Sequence, residues 1–437
     1  MKKIALVWIG LGVSFAAAVG ACSAAAGGSI FDNETDDEGS SNGVGGAGGV
    51  GGSMGTGQGG FNPTTTGGDG SSPINCDNPA DGDGDGDGFT QNEGDCNNCD
   101  PNVNPGAVEV IVTEPDEEGG MKPAADEDCD GETDEEEKCD TGLAIGDPDP
   151  MNGAKAIDLC QVATPADKKW GVLEAKYVRA NGNPIAATLQ VGILENFGPN
   201  VNVQKGERLL GLSSGRARRP GDPSECGSQS CNTASNGSPP PGFPQDVPGC
   251  AGQKNINDDI GLDLKIRAPK NATGYKYLFK FYSFEFPEYV CTSYNDQFIA
   301  LATPPPMGSI NGNISFDSAS NPVSVNVAFF DVCDPNSQFS YASVCGGCKA
   351  PPNPYCPSGT GELQGTGFAG EWFGDAGGTS WLQTLAPIGP GEEFNIRFAI
   401  WDTGDSSLDS TVVIDGFEWI ATGGEVTVGT GTVPDPK

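Results

Sequence analysis

Carboxylates at alternate positions are the first feature of this chain that could do chemistry. Asp126-x-Asp128-x-Asp130-Gly131, followed by Glu137, fits the twelve-residue pattern D-x-[DN]-x-[DN]-G-x5-E throughout. Ca²⁺ takes about six to eight oxygens at roughly 2.3–2.6 Å, and alternate Asp side chains on a curling loop converge on one such centre. The glycine supplies the sharp turn. In this register Glu132 offers its backbone carbonyl, Asp134 a water-mediated contact and Glu137 a bidentate carboxylate. An earlier run, Asp81-Gly82-Asp83-Gly84-Asp85-Gly86-Asp87-Gly88-Phe89, fits in two registers. Starting at Asp81 places Asn92 twelfth; starting at Asp83 places Gly94 there, flanked by Glu93 and Asp95. The candidate ligands are therefore Asp81, Asp83, Asp85, Asp87, Asp95, Asp126, Asp128, Asp130, Asp134 and Glu137, with Ca²⁺ as the expected ion and no organic cofactor. The bland alternative is a solvated, self-repelling acidic block that holds another ion or none.

Composition narrows the rest. The 437 residues carry 60 acidic and 23 basic side chains, a formal charge of −37, and no His. Without imidazole there is no His-dependent nucleophilic triad, no His general base and no His-ligated zinc, copper or haem. A surface this acidic repels nucleic acid and anionic lipid headgroups. From Cys76 to Asp140 there are 23 acidic and two basic residues, so this one segment holds more than half of the net charge. Pro101, Pro105, Pro115 and Pro123 exclude long flanking helices there, which predicts a loop-based ion site in place of a helix-flanked one.

Met1-Lys2-Lys3 and the apolar run from Ile4 to Val19 read as an export signal. The run ends in Val19-Gly20-Ala21-Cys22, which resembles the lipobox of bacterial lipoproteins. That resemblance implies a signal peptide over residues 1–21, lipidation of Cys22 and attachment to a membrane through acyl chains at about 0.8 kcal/mol per buried CH₂. Ser23 resembles the outer-membrane-sorted case, on either the periplasmic face or the cell surface. Residues 22–75 hold Gly, Ser and Thr runs with almost no large apolar side chain, which predicts a disordered tether spanning roughly 40 Å.

Fourteen Cys remain beyond Cys22, an even number in an exported chain, which predicts up to seven disulfides. Cys139 with Cys160, Cys96 with Cys129, and Cys76 with Cys99 are the expected pairs in and around the acidic segment. Cys345-Gly-Gly-Cys348 leads into Lys349-Ala-Pro-Pro-Asn-Pro, which forbids the helix of a redox CxxC, so a structural disulfide is expected there.

From about residue 141 the chain reads as short strands between Gly, Pro and Asn turns. Tyr275, Tyr277, Phe279 and Phe281 alternate with Lys276, Leu278 and Lys280, and Phe394, Ile396, Phe398 and Ile400 alternate with Glu393, Asn395 and Arg397. Further strands are expected over residues 170–179, 185–193, 262–268, 297–303, 309–316, 324–332 and 412–420, with one short helix near 152–160. The fold class is mainly β: a two-sheet β-sandwich or jelly roll over 141–425, then a flexible tail at 426–437.

Two family resemblances attach to these segments. The stretch from Asp83 through Gly94-Asp95-Cys96, Asn104-Pro105-Gly106-Ala107-Val108-Glu109 and Asp126-Glu127-Asp128-Cys129-Asp130-Gly131 resembles the acidic metal-binding motif of Gram-negative surface proteins. That family carries a copper association; the lack of His and the hard oxygen donors turn the expectation to calcium. Phe281-Tyr-Ser-Phe-Glu285-Phe-Pro-Glu288-Tyr289, Tyr294-Asn295-Asp296 and Asp402-x-Gly404-Asp405-Ser406-x-Leu-Asp409-Ser410 resemble the choice-of-anchor L domain. The resemblance implies an exported protein with a surface attachment and no assigned activity.

Within those motifs Glu285, Glu288, Asp296, Asp402, Asp405 and Asp409 are candidates for a second cation site; the alternative is that they cap turns. Trp372, Trp381, Trp401 and Trp419 would form a glycan platform if exposed, and Glu285 or Glu288 with Asp402 would supply a glycosidase's paired acids. The expected function is a lipid-anchored envelope protein in which a calcium-stabilised module over 76–140 displays a sandwich for binding or adhesion. Its partners would be the membrane and a surface protein or glycan, with no nucleic acid; carbohydrate binding or glycoside hydrolysis is the alternative.

Overall fold

The computed structural model describes residues 81–111, 124–231, 236–250, 252–326, 329–337, 355–370 and 375–433. The expected leader, Cys22, the tether, Cys76, Trp372 and the Cys345/Cys348 pair lie outside these residues.

Strand β5 (Gly274–Ser283) shows how the pattern becomes a fold. Successive side chains of a strand point to opposite faces, and Tyr275, Tyr277, Phe279 and Phe281 are all buried in one cluster. Facing them are Ile260, Leu262, Leu264 and Ile266 of β4 (Ile256–Arg267) and Phe394, Ile396, Phe398 and Ile400 of β11 (Glu393–Thr403). Tyr275 stacks on Phe394 at 5.1 Å and Tyr277 meets Phe398 edge-on at 5.0 Å. Each such ring contributes about 1.5–3 kcal/mol by burial. Rings from two different sheets thus interdigitate, which defines a sandwich.

The first sheet has the order β1 (Gly171–Val178), β4, β11, β6 (Gln297–Thr303) and β7 (Val323–Ser324). The second has the order β13 (Gly429–Thr432), β10 (Leu382–Pro387), β5, β12 (Ser410–Ile420), β3 (Leu209–Ser213) and β2 (Val191–Leu194). The short β9 (Gly377–Thr379) also pairs with β5, and β8 (Phe330–Cys333) pairs with β9. All strand pairs are antiparallel.

Several expected elements move. The stretch 309–316 is no strand, because Asn311 (φ 53°) and Gly312 (φ 85°) turn the chain left-handedly in its middle. Residues 185–190 are loop before β2, and the described residues of 324–332 fall into two short strands, the end of β7 and the start of β8. The expected tail at 426–437 contributes β13, which covers the edge of β10. The helix α1 begins earlier, at Pro150–Lys155, because Asp149 caps it by accepting from Met151 N and Pro150 suits the first turn. Lys280, which alternation points away from the main core, is fully buried: a second apolar layer including Trp381, Phe284, Phe368 and Tyr282 covers that face. Its ammonium lies over Trp381 and pairs with Glu362.

The acidic segment packs against the β4–β5 connection and the chain entering β1. Phe89 and Ala107 are buried, Lys270 N donates to Gly106 O, and Asn271 exchanges two hydrogen bonds with Val108. Lys168 donates to Gly88 O and to Glu93 while lying over the Phe89 ring. Disulfides Cys96–Cys129 and Cys139–Cys160 form as expected, the second joining the segment to the body. Cys99 is also disulfide-bonded. Cys226–Cys231, Cys250–Cys291 and Cys333–Cys356 staple the body.

Candidate metal centres

The acidic loops are built from Asp side chains that accept their own backbone N–H groups. Asp83 accepts from Gly86 N and Gly88 N, Asp85 from Asp87 N, and Asp87 from Phe89 N. Asp126 accepts from Asp130 N and Gly131 N, Asp128 from Asp130 N, and Asp130 from Glu132 N. Such Asx turns curl the chain and leave the remaining oxygens pointing together. Carboxylate oxygens of Asp83, Asp85 and Asp87 lie within 4.8 Å of one another, as do those of Asp128, Asp130 and Glu135. Two further groups of this kind are Glu109 with Asp126 and Asp128, and Glu109 with Glu127 and Asp134.

Placement differs from the loop pattern at informative points. Asp81 pairs with Asn92 and stands apart from the Asp83–Asp85–Asp87 group. Buried oxygens of Asp85, Asp87 and Asp95 have no hydrogen-bond partner, and buried oxygens of Asp134 and Glu135 are in the same state. Glu137, the residue in the twelfth position, is exposed and joins none of these groups; Glu135 stands there instead. Glu109 has no counterpart in either loop pattern. Its carboxylate accepts from Glu127 N, Asp128 N and Asp134 N, so it holds the second loop from outside. Burial pushes Asp87 and Asp128 up to about 6, with neighbouring Asp residues adding to it, and raises Asp85, Glu109 and Glu127 as well. All donors are hard oxygens and the described cysteines are in disulfides, so the set fits Ca²⁺ and does not fit copper.

A second acidic centre lies inside the sandwich, at one end. Following inward-facing positions along each strand, apolar side chains give way to polar ones. Phe279 and Phe281 lead to Ser283 and Glu285; Ala300 and Phe298 to Asp296; Phe398 and Ile400 to Asp402. Val412 leads to Ser410, Leu212 to Ser214, and Leu262 and Ile260 to Asp258. All of these polar residues are buried. Asp296 accepts from Thr403 N at 2.9 Å and from Ser410 Oγ at 2.6 Å, tying β6 to β11 and β12. Glu285 accepts from Asp296 N at 3.3 Å. Asp409 accepts from Cys231 N at 2.6 Å, and a β-carbon at Gly215 would overlap its carboxylate.

Burial, reinforced by one another's charge, holds Glu285, Asp296, Asp402 and Asp409 well above the usual carboxylate range. The Arg216 guanidinium opposes this shift at Asp409. No three of these carboxylates bring oxygens within 4.8 Å of one another. Of the other two candidates, Asp405 is exposed and caps its own turn through Ser407 N. Glu288 is half-buried, pushed up to about 7 by burial and by Asp375. The sulfurs near Asp409, Cys226 and Cys231, are joined to each other and are not ligands. Asp258 is the member that motif reading passes over; its signal is its place two residues before Ile260 on the inward face.

Trp381 and Trp401 are buried, and Trp419 packs against Tyr275, Phe394 and Phe417. None of these three described rings is a free stacking surface.

The geometry defines a class first: an antiparallel two-sheet sandwich with a carboxylate-lined end. The family profile described as the Choice-of-anchor L domain matches residues 172–418, more than half of the chain, so the chain belongs to this family. Membership implies a cell-surface or secreted protein. Searches of curated proteins and of solved structures returned no match.

Proposed function

We propose that this protein is a lipid-anchored component of the bacterial outer membrane or cell surface. In this reading the segment 76–140 takes up Ca²⁺ and locks against a sandwich displayed for binding or adhesion to a surface protein or glycan. The observation that carries it is the set of buried carboxylate oxygens on Asp85, Asp87, Asp95, Asp134 and Glu135 that meet no donor while facing other acids. A divalent ion would satisfy these oxygens and offset like-charge repulsion at once, coupling ion uptake to ordering of the segment. Asp83, Asp85, Asp87 and Asp95 would hold one ion; Glu109, Asp126, Asp128, Asp130, Asp134 and Glu135 would hold the ion or ions of the second half. Extracellular calcium fills sites with dissociation constants of about 10⁻⁴–10⁻³ M.

Cys22 would carry the lipid, and residues 23–75 would set the body off from the bilayer. The reading is one of binding and not catalysis. Limited proteolysis with disulfides intact tests the calcium part: chelation is expected to open cleavage between Cys76 and Asp140, and unchanged cleavage would sink it. Membrane fractionation tests the anchor: Cys22→Ala is expected to release the protein from the membrane pellet.

A further inference from the structure

We infer that the carboxylate-lined end of the sandwich is a second, independent site for one hard divalent cation of the Ca²⁺ class, centred on Asp402 and Asp296. The cluster of acids alone would not establish this. The decisive side chain is Asp402, which is 1 % exposed and has neither carboxylate oxygen in a hydrogen bond.

Its neighbours explain why no protein group satisfies it with a hydrogen bond of good geometry. The nearest charged groups are the acids Asp296, Asp409 and Glu285. The Ser214 hydroxyl acts weakly on it and is shared, since it also donates to Ser410 O at 3.3 Å and accepts from Ser410 N at 2.9 Å. An Asp carboxylate accepts and does not donate, so Asp296 and Asp402 can satisfy each other only when one of them holds a proton. At neutral pH the pair needs either that shared proton or a cation between them.

Two observations favour the cation. The polar layer is built by several strands at once, and its hydroxyls and carboxylates are oxygen donors throughout, the donor type that Ca²⁺ selects. Asn295, on the same turn as Asp296, presents a buried Oδ1 that also has no partner, a neutral oxygen of the kind that completes such a shell. The inference does not rest on ion uptake by the loops of residues 76–140.

The test is equilibrium dialysis of the full chain with radioactive calcium, read beside thermal unfolding with and without Ca²⁺. Asp402→Asn is expected to bind one ion fewer than the parent, while the segment 76–140 keeps its Ca²⁺-dependent protease resistance. The same change is expected to raise the melting temperature in chelator, since it removes a buried unpartnered charge, and to abolish the further rise that Ca²⁺ gives the sandwich. Asp409→Asn, which can still accept from Cys231 N, is a second variant should the first not fold. Combining Asp83→Asn with Asp128→Asn is expected to lose loop ions and keep the Asp402-dependent one. Unchanged stoichiometry in both Asp402→Asn and Asp409→Asn, or a sandwich transition indifferent to Ca²⁺ in the parent, would overturn the inference in favour of a shared proton.

Discussion

Two regions of this molecule gather carboxylates, and they do so in opposite ways. Among the described residues of the segment 76–140, acids neighbour one another in sequence, range from exposed to buried, and are shaped by turns whose donors lie a few residues away. At the sandwich end Glu285 and Asp296 flank the β5–β6 connection, Asp402 and Asp409 flank the β11–β12 connection more than a hundred residues on, and all four lie out of water. In the loops, local chemistry creates the cluster and the fold merely supports it. In the sandwich, the fold creates the cluster: a rigid apolar core fixes the strands, and the polar residues ride at their ends. The loops should therefore depend on an ion for their order, whereas the sandwich keeps its shape and changes only in stability.

Chelation probes this difference most strongly. In EDTA with disulfides intact, cleavage within 76–140 is expected to speed up about tenfold or more, because open-state populations follow stability at about 1.4 kcal/mol per tenfold. Residues 141–433 should survive as one protected fragment on a mass-resolved time course. Equal acceleration in both regions would erase the contrast.

Next in size is Gly215→Ala. Its β-carbon would overlap the Asp409 carboxylate, and overpacking of this kind costs about 1–3 kcal/mol. Denaturant unfolding of the sandwich should report the loss while loop proteolysis in Ca²⁺ stays unchanged. Within the loops, Glu109→Gln should weaken calcium uptake about tenfold in dialysis, since Glu109 serves two carboxylate groups. Glu137→Gln should leave uptake within twofold, on the order of ordinary surface changes.

The smallest effect concerns pH. Burial raises Asp158 to about 7, opposed by Lys205 and reinforced by Asp140; Asp415 is raised beside it. A carboxyl with a raised folded-state pKa binds more protons folded than unfolded, so stability falls as pH rises from the usual carboxylate range through about 7. Asp158→Asn should flatten that slope in melting temperature between pH 5 and 8, and an unchanged slope would assign it to other acids.

The loops were legible in the sequence because their signal is local: alternating Asp with Gly at fixed offsets survives without knowing the fold. Glu109 was not, since it reaches the second loop only after the intervening chain folds back. The motif residues of the sandwich were legible as a set and less so as individuals. Asp405 and Asp409 are four apart on one turn, yet one caps it in water and the other is buried against Cys231 N. Strands with clean alternation, such as 275–281 and 393–400, stand where expected. Lys280 escaped because alternation names two faces without saying that a second apolar layer covers the far one.

The pair of disulfides Cys96–Cys129 and Cys139–Cys160 also sets a load path. They close chain separations of 33 and 21 residues, so about 110 Å and about 70 Å of contour are withheld from extension. A pull arriving from the amino-terminal side would cross the segment through sulfur bridges and pass into the sandwich at Cys160. Between the two bridges the line of tension would run along residues 130–138, so Asp130, Asp134 and Glu135 would lie within it while Glu109, Asp126 and Asp128, inside the first closure, would hang beside it.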